Sequence, residues 1–248
     1  MNNSNKTHFY IQNDYANSTE SRAILEATLL NDCYTYHIIQ DIPEFIYHND
    51  VPIGSVEWCR LFASRQGRKL DEHIDYPIHF TEILRRDIQV VTVDLLKPGM
   101  WVKPTYTKLF PAQLVTEHSP VMHDNGDPVA HDALCWASEV VMFGPEFRCY
   151  VQDRNIVGIS QYDESQSSSL SDVNIEHLDS LIKTWDNPMV TYALDVGLLE
   201  DTNEMALVEV NASWGTGYYP GGTLSATGYA EWVSNGWKQL PWQDDSEN

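Results

Sequence analysis

The chain has 248 residues, 42% hydrophobic and 11% aromatic, with 36 Asp and Glu against 15 Lys and Arg, a formal net charge of −21. That composition supports a folded core and excludes a disordered acidic tail. So acidic a chain is also a poor coat for nucleic acid or for anionic membrane surfaces, because affinity for those surfaces rests on Lys and Arg.

The residue pattern predicts a strand over 7–12, then a helix over 20–31 with Ile24, Leu25, Leu29 and Leu30 at helical spacing. YTYHII at 34–39 reads as a second strand and 55–66 as a helix opened by Gly54-Ser55. This alternation predicts a small α/β domain over 1–98. WVKP at 101–104 is a strand stopped by proline. Segments 134–142, 147–152 and 155–161 read as an antiparallel meander, completing a central lobe over 99–163. The serine-rich DESQSSSLSD at 163–172 reads as a flexible break. A C-terminal lobe over 164–248 then has a helix over 174–185, strands over 191–199 and 205–210 about a turn at 200–204, a helix over 229–237 and a frayed tail.

The acidity is concentrated late. Residues 1–98 carry 9 basic and 14 acidic side chains, whereas 99–248 carry 6 and 22. The four cysteines form no CxxC pair, which favours reduced thiols over a zinc site or a disulfide framework. No run approaches the ~18 apolar residues of a membrane span, and the N-terminus lacks a secretion-signal pattern, so a cytoplasmic protein is expected.

Asp195, Glu209 and Asn211 carry the clearest chemical signal. Residues two apart in a strand share a face, so Glu209 and Asn211 point together, with Asp195 on the neighbouring strand. Two carboxylates and a carboxamide make a hard-oxygen set suited to magnesium rather than zinc. The nine histidines show no HxH or HExxH spacing, which argues against a histidine metal site. Ordinary alternatives are a surface Lys103, an Arg148 paired with Glu146 on one strand face, and a Trp214 that merely fills core.

Five segments stand in a telling order: VKP at 102–104, EVV at 139–141, EFRCYV at 146–151, LDVG at 194–197 and EVNASWG at 209–215. Together they resemble the ATP-grasp superfamily of carboxylate–amine and carboxylate–thiol ligases over roughly 97–220. The closest likeness is to the branch of ribosomal S6 modification-type glutamate ligases. The resemblance implies an α/β (α+β) ATP-grasp fold: a small N-terminal α/β domain, then two α+β lobes whose antiparallel sheets enclose the nucleotide. It also implies that Lys103 reaches the ATP phosphates and that Glu139, Val140, Val141 and Met142 form the adenine hinge. By the same likeness Glu146 lies near the ribose, Arg148 faces the transferred phosphoryl group, and Asp195, Glu209 and Asn211 hold Mg2+. Residues 213–217 would lead to the acceptor site.

Lys108 is a third phosphate candidate, on a loop reading PTYTKLFPAQL, where the family usually has a glycine-rich phosphate loop. Ala193 also departs from D-alanine ligases, which carry arginine there. The implied reaction joins a carboxylate to an amine with release of ADP. The substrate would be a small molecule, peptide or protein, and a homodimer is compatible with the sequence. The alternatives are a degenerate nucleotide-binding module or a phosphotransferase without ligation.

Overall fold

The computed structural model describes residues 6–70, 74–106, 109–117, 121–162, 170–187 and 189–243. Lys108, most of the serine-rich connector and the tail from 244 lie outside the described residues.

In Thr7–Gln12 (β1) every second side chain is buried, the period-two pattern of a strand with one covered face. The helix Thr19–Leu30 (α1) follows, opened by Ser18, whose Oγ accepts from the Ser21 N–H. Tyr34–Ile39 (β2) and Asp50–Ile53 (β3) run parallel to β1 in the order β2-β1-β3. Val56–Gln66 (α2) is capped by Ser55 and ends at Gly67, whose φ of +76° suits glycine. Each serine cap contributes ~1 kcal/mol.

The second sheet contains Ile88–Thr92 (β4), Trp101–Pro104 (β5), Gln113–Leu114 (β6) and Leu134–Ser138 (β7), in the order β4-β7-β5-β6. Val102, Phe110, Val121, Val129 and Cys135 form its small core. The third sheet contains Phe143–Gln152 (β8), Asn155–Gln161 (β9), Thr191–Leu199 (β10) and Met205–Ala212 (β11), antiparallel in the order β11-β10-β8-β9. Ile175–Thr184 (α3) and the 3-10 segment Ile78–Ile83 cover one face, packing Leu178, Ile182 and Phe80 against Phe147, Leu194 and Val196. Every residue of β10 is buried, so its sequence is apolar almost throughout and Asp195 stands out.

The last helix, Ala226–Gln239 (α4), packs back on the N-terminal sheet. Trp232 and Trp237 join Phe9, Ile11, Ile24 and Phe62 in one core. Among the described residues no helix is long and apolar enough to cross a membrane.

The expected division at 98 and 163 does not follow the sheets. β4 precedes residue 98 yet pairs with β7. The strands β8 and β9 precede residue 163 yet share a sheet with β10 and β11. Hydrogen bonding across a sheet outweighs the β–α alternation and the serine-rich break on which those boundaries rest. The expected meander is likewise split: β7 ends at Ser138, and 139–142 carry the chain from one sheet to the next.

Candidate active site

Register builds the site. Asp195 on β10 lies opposite Glu209 on β11 and opposite Arg148 on β8, so one cross-strand row reads Arg148–Asp195–Glu209. Arg148 grips Asp195 with two parallel hydrogen bonds, Nε to Oδ1 at 2.8 Å and Nη2 to Oδ2 at 2.7 Å. This bidentate geometry fixes both groups. It also answers the Glu146 alternative, since the Glu146 carboxylate instead accepts from the Tyr162 hydroxyl.

Asn211 Nδ2 donates to Glu209 Oε1 at 2.7 Å and lies 3.4 Å from Asp195 Oδ2. The three residues expected to share a cation therefore touch one another. Their oxygens suit a hard cation that completes its shell with phosphate and water. No group of three or more His, Cys, Asp or Glu side chains that could hold a metal occurs among the described residues, so the fit rests on two carboxylates and one amide.

Lys103 reaches this row from the second sheet. Its Nζ lies 2.7 Å from Glu209 Oε2 and 2.5 Å from Asp75 Oδ1. Burial alone would lower the Lys103 pKa, but Glu209, Tyr76 and Asp75 together hold it above the ordinary lysine range. Burial likewise works to raise Glu209, and Lys103 and Asn211 bring it below the usual carboxylate range. For Asp195 burial prevails and holds the carboxyl above 3.8 despite Arg148. Arg148 stays protonated: burial disfavours its charge, but Asp195 more than compensates.

Lys103 and Glu209 open onto a cavity of ≈ 340 Å³ between the second and third sheets. Glu139, Val140, Val141 and Glu146 line it, as does Arg86, which also approaches the rings of Tyr76 and Phe143. Met142 of the expected hinge does not; it is exposed and lines a neighbouring hollow with Glu200.

At its other end the row meets the loop after β11. Arg148 Nη1 and the Tyr150 hydroxyl both donate to the Gly217 carbonyl, and Tyr162 and Tyr219 stack over the guanidinium. Beyond Gly217 lies a second cavity of ≈ 170 Å³, lined by Tyr15, Glu20, Gly54, Trp214 and Tyr229. A Cβ on Gly217 would sit 2.6 Å from Glu20 Oε1, so a side chain there would push the Glu20 carboxylate aside. The Trp214 indole N–H has no hydrogen-bond partner among the described residues. Ala193 is wholly buried beside Tyr150 and Ala212 in the first core.

Asp75, Tyr76, Arg86 and Glu20 were not foreseen. The first three belong to an irregular stretch without periodicity. Glu20 looks like any acidic residue in the first turn of a helix.

A family model described as an ATP-grasp domain, the second family of its clade, matches residues 82–227. The chain belongs to the ATP-grasp superfamily. Among solved structures, the RimK domain protein ATP-grasp from Sphaerobacter thermophilus DSM 20745 is 14% identical, with a TM-score of 0.53, over 93% of this chain and 97% of that one. The N5-carboxyaminoimidazole synthetase from Staphylococcus aureus is 9% identical, with a TM-score of 0.52, over 95% and 78%. An ADP complex of N5-carboxyaminoimidazole ribonucleotide synthetase is 12% identical, with a TM-score of 0.53, over 96% and 78%. At these identities the likeness is one of fold, and it bears out the ATP-grasp architecture. No curated protein matches the chain.

Proposed function

We propose that the chain is an ATP-dependent ligase that activates a substrate carboxylate as an acyl-phosphate and joins it to an amine, releasing ADP and phosphate. One observation carries this reading. The Lys103–Glu209–Asp195–Arg148 row runs from the cavity between the sheets to the Gly217 loop and the second cavity. Such a line suits a nucleotide at one end and an acceptor at the other.

In this reading the base lies against 139–141 and the phosphates meet Lys103. A substrate carboxylate oxygen attacks the γ-phosphorus and ADP departs. The amine then attacks the acyl carbon, loses a proton, and phosphate leaves with the former carboxylate oxygen. Arg148, locked by Asp195, presents fixed positive charge to the phosphoryl group, and preorganisation of this kind needs no protein nucleophile. Asp195, Glu209 and Asn211 would hold magnesium, whose chemistry there is neutralisation of phosphate charge. Glu20 gives the second cavity a carboxylate suited to a cationic amine.

The test is ADP release by purified protein offered Mg-ATP with panels of carboxylic acids and amines. ADP should appear only with magnesium and both substrates present. Release at the same rate without them would contradict ligation. A second reading, nucleotide binding without turnover, draws support from the glycine-free stretch 104–114; it predicts Mg-ATP binding without substrate-dependent ADP. A phosphotransferase would instead yield a phosphorylated product by mass.

A further inference from the structure

Lys103 is shared by two carboxylates, Asp75 at 2.5 Å and Glu209 at 2.7 Å, and they are held very differently. The second oxygen of Asp75 accepts from Trp136 Nε1 at 2.8 Å, and its backbone carbonyl accepts from the Val210 N–H at 2.8 Å. Its φ of +41° is a left-handed conformation, uncommon outside glycine and asparagine or aspartate. Three segments thus fix one residue: Lys103 from β5 and Trp136 from β7 hold its carboxylate, and Val210 from β11 holds its backbone. Its side chain is 9% exposed. Glu209 is 30% exposed, and its other oxygen is held by Asn211, two residues away on the same strand.

We propose that Asp75 is the residue that positions Lys103 for the nucleotide, staying in place while Glu209 exchanges the ammonium for other partners when phosphates arrive. A lysine tethered only to Glu209 would follow that side chain as it turned. Asp75 supplies the fixed point, and because it is anchored on β11 and bound to β5 and β7, it sets the lysine at the junction of the two sheets. Asp75 lies outside the stretch matched by the family model, residues 82–227.

This inference rests on the nucleotide-site reading, and the test keeps the two apart. Mg-ATP affinity is measured calorimetrically for wild type, Asp75→Asn, Lys103→Met and the double variant, with no acceptor present. Asn preserves size and can still accept from Trp136, but it removes the charge. Loss of one charged hydrogen bond predicts a Kd weakened on the order of tenfold to a hundredfold. The double variant should be no weaker than Lys103→Met, since Asp75 acts through that lysine. Wild-type affinity in folded Asp75→Asn, or losses that add in the double variant, would overturn the proposal while leaving the nucleotide site intact. A wild-type protein that fails to bind Mg-ATP would overturn both readings. If Asp75→Asn does not fold, Trp136→Phe frees the same carboxylate, and a Lys103-dependent loss of affinity is again required.

Discussion

At the scale of single residues, the site is built from charges buried in pairs. Glu209 touches both Lys103 and Asn211, so Glu209→Gln removes a charge without emptying space. Loss of a group that stabilises developing charge predicts a kcat lower on the order of 10²–10³-fold. Circular dichroism should remain that of the wild type; normal turnover by a folded variant would remove Glu209 from the mechanism. Asp50 is 1% exposed at the start of β3. Burial holds its carboxyl above the usual 3.8, opposed by the Tyr47 N–H and by nearby histidines. The folded state thus binds the Asp50 proton more tightly than the unfolded state does, and this contribution to stability falls as pH rises through the window above 3.8. Asp50→Asn is therefore expected to be more stable than wild type at neutral pH, with the gap closing as pH falls towards 3.8, as urea titrations at several pH values would show.

At the scale of elements, the motif order was legible because its residues sit in strands whose register the chain could reveal. Asp195 interrupts an otherwise apolar strand, and Glu209 and Asn211 obey the period of two. The hinge was less legible. Val140, Val141 and Met142 are as apolar as a strand, yet 139–142 pass between sheets, leaving Val140 48% and Met142 62% exposed. Nor could periodicity place β4, whose pairing with β7 joins segments far apart in the chain, or Asp75, whose role comes from a left-handed turn and a distant indole. The C-terminal helix starts earlier than its apolar spacing predicts, because Ser225 caps it through the Gly228 N–H. On that helix Gly236 marks the docking point: an added Cβ would lie 2.0 Å from Thr191 Oγ1 and 2.1 Å from Ser213 Oγ. Gly236→Ala is thus expected to destabilise by about 1–3 kcal/mol through overpacking. In an open helix the same change would stabilise by roughly 0.5–1 kcal/mol, so the sign read by denaturant titration decides between docking and free exposure.

At the scale of the whole molecule, the net charge of −21 opposes any anionic ligand. Residues 99–248 hold six Lys and Arg, and two of them, Lys103 and Arg148, stand in the row between the cavities. Attraction of ATP must come from those placed cations and from metal, against a repulsive long-range field. At constant free magnesium, the association rate of Mg-ATP should therefore rise as salt increases towards ~0.15 M, where the screening length is about 8 Å. A rate that falls with salt in stopped-flow measurements would show that local cations dominate even the approach.

The most direct measurement is a crystal structure with magnesium and a non-hydrolysable ATP analogue. The base is expected against 139–141, the phosphates on Lys103 and the metal among Asp195, Glu209 and Asn211. Glu209 should have turned from the lysine, with Asp75 unmoved. A nucleotide bound elsewhere, or phosphates that leave Lys103 paired to Glu209 as before, would contradict the proposed site.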